Sequence, residues 1–411
     1  MLNKKVYEIL KMDLRKDTHV KPDTAVIYTH TVLSGSMTFI KSHADAMRRF
    51  VPVYAGARRV ENGLPLDGRD VYVANDSPVF GIAREYAFRR WGWAPKLVSA
   101  LRGKDPAIVH AHFGTAGPAG LALAKQLDVP LVVTFHGADA TLNHSKAASS
   151  RRGRDLIRGK GKLIDGAARF IAVSNYIRDR LLEQGYPENK VSVHRNGINL
   201  NDFSPKVAEI RKKQVLFVGR FVEKKGVRVL VDAAAKLREA GIVFELILVG
   251  DGPLRESIAA DCEKAGIDCR FTGFLPIDEV RNWLAQASVV AVPSITAADG
   301  DSEGLPTILL ESQAMETPVV ATYHSGIPEG VVNNETAELV QPGDSEALAS
   351  SLSTFLNSPD KISAFGKAGR RFVADNFGLE EQVSVLEGIY NELIEEHGKA
   401  RVRHSLKSAP V

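Results

Sequence analysis

Short β-branched or apolar runs alternate with helix-length amphipathic stretches along this chain, and the alternation occurs twice. Such a pattern is typical of a parallel sheet covered by helices on both faces. Strands are predicted at 24–31, 51–55, 70–74, 107–113, 130–137, 169–174, 190–197, 214–220, 244–252, 269–274, 288–294 and 318–323. Helices are predicted at 116–127, 174–184, 226–240, 253–265, 277–286 and 306–315. The sequence therefore predicts an α/β fold with two doubly wound domains.

The turn-rich, non-periodic stretch 196–206 (NGINLNDFSPK) separates the two repeats of the pattern. We predict an N-terminal domain at 1–205 and a C-terminal domain at 206–411, whose last helix, about 379–396, packs back on the N-terminal domain. In doubly wound sheets, ligands bind beyond the carboxyl ends of the strands. We therefore expect the functional site in the cleft between the domains.

Cysteine content and apolar runs limit where such a protein works. Two cysteines, Cys262 and Cys269, cannot form a disulfide framework, and no metal-type Cys/His cluster surrounds them. The first twenty residues are rich in charge and lack the apolar core of a signal peptide. The apolar runs are much shorter than the roughly 18 residues of a membrane helix. A cytoplasmic protein is expected, either free or peripheral on the inner face of the membrane.

Charge is distributed unequally between the halves. Residues 1–205 hold 31 Lys and Arg against 19 Asp and Glu, a net charge of +12, whereas 206–411 hold 22 against 30, a net charge of −8. A basic half indicates either an anionic partner or a solvated surface. Nucleic acid is not expected as a partner, because the basic residues form no recognised nucleic-acid-binding module.

The segment VGRFVEKKG (218–226) ends a predicted strand and precedes a helix. Arg220 offers a planar fork of donors and Lys225 offers a point charge, which together suit a diphosphate. A surface salt-bridge patch is the alternative interpretation.

The segment DSEGLPTILLESQAMETPVV (301–320) places Glu303 in a loop and Glu311 on the helix that Pro306 opens. The free N–H groups at a helix N-terminus bind phosphate oxygens. Carboxylates beside them suit the hydroxyl donors of a sugar or ribose. By itself, a pair of Glu residues at this spacing is a weak signal, because it is common at helix starts.

Several residues at predicted strand ends add candidates. His136 and Gly137 end the strand in TFHGADA, where a histidine could donate to a sugar hydroxyl or to a developing negative oxygen. For His110 and His112 a structural role is favoured. Gly35, in TVLSGSMTF, allows either close ligand approach or a tight turn.

Two further patterns resemble a metal site and a dinucleotide-binding site, but neither function is expected. Asp299 and Asp301 have the D-x-D spacing of a metal site, yet Arg220 and Lys225 could neutralise a phosphate without a cation, so no metal is expected. Gly252, in VGDGP, follows a strand, but the dinucleotide-binding fingerprint fails because the position of its third glycine holds Arg255.

Taken together, GRFVEKKG, LVGDGP, GFLPIDEV, EGLPTILLE and PVVATYHSGIPEGV resemble, in order and spacing, the C-terminal half of the retaining GT-B glycosyltransferases of family four, the glycosyl transferases group 1. This joint match covers roughly 214–343. TFHG, AVSNYIRDRL and NGIN resemble the N-terminal markers of that family more loosely. The resemblance implies a GT-B fold, in which two Rossmann-like domains face an interdomain cleft.

The resemblance also implies a nucleotide-diphosphate sugar as co-substrate in the C-terminal domain, and no resident cofactor. Arg220 and Lys225 would bind the diphosphate, Glu311 the ribose hydroxyls and Glu303 the transferred sugar. Amides after Glu303 would cradle phosphate, and His136 would contact the sugar. The implied catalytic residues are His136, Arg220, Lys225 and Glu303, and the implied substrate-binding residues are Gly35, Gly137, Gly252, Gly304, Leu305, Thr307, Ile308 and Glu311.

The expected activity is transfer of the sugar, with retention, to a saccharide or lipid-linked acceptor in surface polysaccharide or glycolipid synthesis. Two departures from the family pattern are SGSM around Gly35 and HSGIPE at 324–329, which replace glycine-rich segments. Basic residues near Trp91 and Trp93 suit docking to an anionic membrane surface. The alternatives are a sugar-nucleotide epimerase or phosphorylase of the same fold and a non-catalytic nucleotide-sugar-binding protein.

Overall fold

The computed structural model describes residues 22–61, 63–205 and 211–407. In the N-terminal domain, seven parallel strands form one sheet in the order β3-β2-β1-β4-β5-β6-β7. The strands are β1 (Asp23–Thr31), β2 (Phe50–Arg58), β3 (Val71–Val73), β4 (Pro106–His112), β5 (Leu131–Phe135), β6 (Arg169–Ala172) and β7 (Val191–Val193). The helices are α1 (Thr38–Asp45), α2 (Gly81–Trp91), α3 (Pro95–Arg102), α4 (Gly117–Leu127), α5 (Ala138–Thr141), α6 (His144–Ser149), α7 (Arg151–Gly166) and α8 (Asn175–Glu183).

The C-terminal domain repeats this architecture with six parallel strands in the order β10-β9-β8-β11-β12-β13. Its strands are β8 (Lys212–Val218), β9 (Glu245–Val249), β10 (Cys269–Gly273), β11 (Ala287–Val292), β12 (Val319–Thr322) and β13 (Ala337–Val340). Its helices are α9 (Val227–Glu239), α10 (Arg255–Lys264), α11 (Ile277–Gln286), α12 (Thr307–Ala314), α13 (Ser345–Asn357), α14 (Pro359–Asn376) and α15 (Leu379–Lys407). Single 3₁₀ turns lie at Gly114–Ala116, Glu188–Lys190, Glu223–Lys225 and Ile327–Gly330.

The predicted α/β fold with two doubly wound domains is confirmed, and each predicted strand has a counterpart in the sheets. The edge strand β13 was not predicted. It is four residues long and carries Glu338, so its sequence lacks the apolar run that marks the other strands. Its pairing with β12, Val319 opposite Ala337, is what makes it a strand.

Strand β1 shows why the sheets need helices on both faces. Val26 and Tyr28 pack into one apolar cluster, whereas Ala25 and Ile27 pack into another on the opposite face. All four residues are almost completely buried. A parallel strand of this kind is apolar on both sides, so both faces of the sheet must be covered.

The last helix, α15, leaves the C-terminal domain and covers one face of the N-terminal sheet. Leu386, Tyr390 and Leu393 join the same cluster as Ala25 and Ile27. The Tyr390 hydroxyl lies 2.5 Å from Nδ1 of His110. Helix α15 therefore links the two domains through buried contacts.

The chain crosses between the domains at two adjacent points. The amide of Ile198 donates to the Phe377 carbonyl at 2.8 Å, and the amide of Leu379 donates to the Ile198 carbonyl at 3.0 Å. The linker after β7 and the start of α15 are thus hydrogen-bonded to each other. None of the helices in the described part of the chain is long and apolar enough to span a bilayer.

Replacing Tyr390 by alanine should destabilise the protein by about 3–5 kcal/mol, the usual range for removing a large buried aromatic side chain. The ring is fully buried and its hydroxyl meets a buried histidine. Urea unfolding measures the loss. V385A, at an exposed position of the same helix, is the control and should change the free energy of unfolding by less than about 0.5 kcal/mol. Equal effects of the two variants would show that α15 is not packed on the N-terminal sheet.

Candidate active site

An ion pair between Lys225 and Glu303 lies at the carboxyl edge of the C-terminal sheet. Lys225 belongs to the 3₁₀ turn after β8, and its Nζ is 2.7 Å from Oε1 of Glu303. Only 6% of Glu303 is exposed. Burial by itself would raise the pKa of this carboxyl, but the ammonium groups of Lys225 and Lys224 outweigh it and hold the pKa below its usual value. Glu303 is therefore an ionised carboxylate in a nearly dry site.

The neighbouring Asp299 and Asp301 are also paired with lysines. Lys224 Nζ donates to Oδ1 of Asp301 at 2.9 Å, and Lys146 Nζ is 3.3 Å from Oδ2 of Asp299. The D-x-D pair thus meets ammonium groups on both of its carboxylates. Within the described ranges, no group of three or more His, Cys, Asp and Glu side chains is arranged to hold a metal ion.

Helix α12 begins at Thr307, four residues after Glu303, and the amides around its start are unused donors. The amides of Gly304, Leu305, Thr307 and Ile308 donate no hydrogen bond to any residue that the structure describes. Unpaired N–H groups at a helix N-terminus, together with the positive end of the helix dipole, favour a phosphate or another anion. Four of the predicted substrate-binding residues therefore present unpaired amides on either side of Pro306, which has no N–H.

Glu311 lies one turn further along α12 and is 9% exposed. Burial raises the pKa of this carboxyl to about 7, against the opposing effects of a hydrogen bond with the Thr307 side chain and of the Lys225 charge. Lys225 thus acts electrostatically on both predicted carboxylates, Glu303 and Glu311. The structure brings these three residues together.

His136 reaches the site from the N-terminal domain, at the end of β5. Its Nε2 is 3.2 Å from Nδ1 of His112, and its ring packs against Phe39 and Phe113. Its Nδ1 is buried and has no hydrogen-bond partner among the described residues. Burial lowers the pKa of His136 to about 3, so the ring is neutral near neutral pH. His112, for which sequence favoured a purely structural role, holds the catalytic candidate in place.

Two predicted glycines lie where the domains touch. A Cβ on Gly304 would lie 2.3 Å from the His136 carbonyl oxygen, and a Cβ on Gly137 would lie 3.2 Å from the Ser302 carbonyl oxygen. Gly137 also has φ of 154°, which side-chain-bearing residues rarely adopt. In this structure the close approach that these glycines allow is between the backbones of the two domains.

Glu329, which no sequence pattern singled out, makes a second contact between the domains. Its carboxylate accepts hydrogen bonds from the backbone amides of Asn175 and Tyr176 at the start of α8. It also pairs with Arg195 at 2.7 Å. A carboxylate at a helix N-terminus is electrostatically favourable. The motif HSGIPEG contains Glu329, but nothing in the sequence shows which helix it caps.

His324, in the same motif, also lies beside the candidate site. Its Nε2 is 2.9 Å from Oγ1 of Thr296, and the charges of Glu303 and Lys224 both act on its pKa, which burial lowers. Gly252 packs elsewhere: a Cβ there would lie 2.5 Å from the Phe221 carbonyl oxygen. Its lack of a side chain is explained by the crossing of the loops after β8 and β9.

A cavity of about 920 Å³ lies next to the site and is lined by residues of the N-terminal domain. Arg220 is the residue of the C-terminal domain that lines it. Arg220 is exposed, and its guanidinium has no ion-pair partner in the parts of the chain described. It faces this cavity rather than joining the Lys225–Glu303 pair. Gly35 lies in an exposed turn after β1, and Met37, two residues later, lines the cavity.

Each half of the chain matches the model of a known protein family. Residues 201–372 match the model of the glycosyl transferases group 1, and residues 34–202 match that of glycosyltransferase family 4. The chain belongs to the group 1 glycosyltransferases. The two matches divide at the linker between β7 and β8, and each covers one of the two sheets.

Two relatives of this group 1 chain are bacterial proteins whose names describe biosynthetic glycosyltransferases. WcaL of Escherichia coli K12, whose name assigns it to colanic acid biosynthesis as a glycosyltransferase, is 32% identical over 280 residues, 66% of each chain. The amylovoran biosynthesis glycosyltransferase AmsK of Erwinia amylovora is 33% identical over 265 residues, 63% of each chain. The alignments thus span about two thirds of the relatives' length.

Among solved structures, the Anabaena protein HepE (Alr3699) in complex with UDP-glucose superposes with a TM-score of 0.72 at 18% identity. The superposition covers 90% of this chain and 100% of HepE. At this identity the likeness establishes the fold alone, which is GT-B, as the sequence resemblance implied.

Glu311 should make the stability of the ligand-free protein depend on pH. Its pKa is about 7 in the folded protein and about 4.5 when unfolded, so the folded state holds this proton more tightly. The free energy of unfolding should therefore fall as pH rises from 4.5 to 7, by up to about 3 kcal/mol from this group.

E311Q removes the titrating group and should flatten this part of the profile, which makes the variant more stable than the wild type at pH 8. Urea unfolding between pH 5 and 8 measures the effect. E279Q, at an exposed position on α11, is the control and should keep the wild-type slope. An unchanged slope in E311Q would contradict the elevated pKa of this carboxyl.

Proposed function

We propose that the protein transfers a sugar from a nucleotide-diphosphate sugar to a saccharide or lipid-linked acceptor, with retention at the anomeric carbon. One observation carries the proposal: the ionised pair Lys225–Glu303 lies beside the unpaired amides that open α12, where His136 of the other domain meets them. The names of the relatives WcaL and AmsK support a role in polysaccharide biosynthesis. HepE, bound to UDP-glucose in a similar fold, supports a nucleotide-sugar donor.

In this proposal the departing diphosphate is stabilised by the protein's own positive charge. The amides of Gly304 and Leu305 donate to phosphate oxygens, and Lys225 supplies a full charge next to them. Arg220 reaches the same group from the end of β8. Donors fixed in advance in a site with little water stabilise developing charge more strongly than water does. The mechanism invokes no metal ion, because these groups neutralise the leaving group.

The two carboxylates bind hydroxyls in different ways. Glu303 is ionised in the unliganded protein and accepts hydrogen bonds from the transferred sugar, whose ring gains positive charge as the glycosidic bond breaks. Glu311 has a pKa of about 7 without ligand, and hydrogen bonds from ribose hydroxyls favour its charged form and lower this pKa. The neutral His136 offers its unpartnered Nδ1 to a sugar hydroxyl.

The acceptor enters from the cavity of the N-terminal domain, and its hydroxyl oxygen bonds to the anomeric carbon on the face from which the diphosphate departs. The bond between the anomeric carbon and the diphosphate oxygen breaks, and the hydroxyl proton passes to the departing phosphate. Arg220 lines this cavity as well, so donor and acceptor sites meet at its side chain. Contacts through Gly137, Gly304 and Glu329 close the domains around the reacting groups and limit the access of water. Limited access of water to the reacting carbon favours transfer of the sugar to the acceptor over its hydrolysis.

Binding of nucleotide sugars tests the donor site. A thermal-shift panel of UDP-, GDP- and dTDP-sugars should give one nucleotide that raises the Tm, because a ligand that binds only the folded protein stabilises it. R220A should raise the apparent Kd for that ligand at least tenfold. Arg220 is exposed and unpaired, so its loss leaves the buried ion pair intact.

K213A, which removes another exposed cation of the same domain, is the control and should bind like the wild type. A panel in which no nucleotide sugar raises the Tm would overturn the proposal. Conversion of the sugar nucleotide to another sugar nucleotide without an acceptor would identify an epimerase instead.

We also propose that the segment 79–93 rests on a membrane surface, where a lipid-linked acceptor would be found. Val79, Phe80, Ile82, Trp91 and Trp93 are each at least 60% exposed. The adjacent Arg90 and Lys96 are exposed as well. Large apolar side chains next to cations suit the headgroup region of an anionic bilayer.

The double variant F80E/I82E should lower binding to phosphatidylglycerol-containing vesicles at least tenfold, because it places two carboxylates in the apolar surface. Vesicle co-sedimentation measures the binding. V243E alters an equally exposed valine of the other domain and should bind like the wild type. Wild-type binding by F80E/I82E would remove this surface from the proposal.

A further inference from the structure

The charged side chains that line the N-terminal cavity leave it with an excess of positive charge. Its cations are Arg152, Lys160, Arg180 and Arg220, and its carboxylates are Asp139 and Glu183. Both carboxylates are already engaged. Asp139 accepts hydrogen bonds from the amides of Gly114, His136 and Gly137, and Glu183 pairs with Arg180.

Arg152, like Lys160 and Arg220, lines the cavity without an ion pair to a carboxylate of the described ranges. Its Nη2 donates to the hydroxyl of Thr31 at 3.1 Å, and no carboxylate in the described ranges forms an ion pair with it. Burial and the guanidinium groups of Arg89 and Arg58 lower the pKa of Arg152, against the opposing effect of the Glu85 charge. Arg89 itself pairs with Asp155 at 2.7 Å. Repulsion between these guanidiniums would be relieved by an anion beside Arg152.

The position of Arg152 in the fold reinforces its charge. It is the second residue of α7, a helix of 16 residues whose N-cap is Ser150. Ser150 and Gly153 line the cavity too, so the positive end of the helix dipole points toward the same space. The Gly153 amide is already capped by the Ser150 hydroxyl, so the arginine fork and the helix dipole are what suit a phosphate or carboxylate here.

His30 adds an unused polar atom at the same end of the cavity. Its Nε2 is 2.7 Å from the Thr115 carbonyl oxygen, so this nitrogen carries the proton and donates. The other ring nitrogen, Nδ1, is buried without a hydrogen-bond partner among the described residues. The Arg152 charge acts on this ring. A buried acceptor without a donor is rare in folded proteins, and this nitrogen fits a hydroxyl of a bound molecule rather than its anionic oxygens.

We infer that the cavity binds its acceptor through an anionic group, either a phosphate or a carboxylate, held by Arg152 and the start of α7. This inference rests on the proposed transfer reaction, because it names the acceptor class of that reaction. A neutral saccharide would leave the cavity's positive charge uncompensated. The anion is the phosphate of a lipid-linked acceptor or the carboxylate of an acidic sugar, and both have the chemistry that Arg152 recognises.

Thermal shift of the full chain with inorganic phosphate and with glucuronate, at constant ionic strength against chloride, tests the inference. At least one of these anions should raise the Tm of the wild type. R152A should raise the apparent Kd for that anion about tenfold or more, and R152K should recover part of the affinity. R158A, which removes an exposed arginine of the same helix, is the control and should bind like the wild type.

The relative response to the two probes separates the sources of the anion, since phosphate mimics the lipid-linked group and glucuronate mimics the acidic sugar. A wild-type Tm that neither anion raises would overturn the inference. A shift that persists in R152A but disappears in R220A would assign the anion to the diphosphate site and would also overturn it. Nucleotide-sugar binding that R152A leaves intact separates this result from a failure of the proposed function.

Discussion

A buried, ionised carboxylate at the meeting point of two domains sets the conditions for the rest of this site. Glu303 is almost entirely removed from water, and its charge is stable there because two lysines of one 3₁₀ turn face it. A buried charge that loses its partner typically costs about 3–5 kcal/mol. The turn after β8, the loop before α12 and the first turn of that helix are therefore held in one arrangement. That arrangement leaves amides without partners beside a positive charge.

The domains are held together by backbone packing as much as by side chains. Gly137 and Gly304 have no Cβ, so the end of β5 and the loop before α12 approach closely enough to exclude side chains from the junction. Glu329 caps α8 across the same junction, and α15 covers the N-terminal sheet from the opposite direction. These contacts fix the position of His136 relative to Glu303. The geometry of the proposed reaction thus depends on residues that need not touch substrate.

The basic character of the N-terminal half separates into different local environments once the chain is folded. Among three arginines at the start of α7, Arg151 is exposed, Arg152 faces the cavity, and Arg154 donates to the carbonyls of Ala148 and Ser149. A count of charges along the chain treats these residues as equivalent. In the folded protein each of the three points in a different direction from the same helix. One therefore contacts solvent, one lines a cavity and one stabilises a turn.

Local sequence patterns predict the two doubly wound domains, the helix that opens after Glu303, and the chemically active residues at the strand ends. These features follow from local periodicity and turn chemistry, which neighbouring residues encode. No local pattern predicts that Lys225 pairs with Glu303, that burial raises the pKa of Glu311 to about 7, or that Arg220 faces a cavity; the packing of distant elements produces all three. The same packing places Glu338 in an edge strand and Glu329 at the start of a helix of the other domain. Distances between residues remote in sequence, and the loss of water around them, arise only when the elements pack.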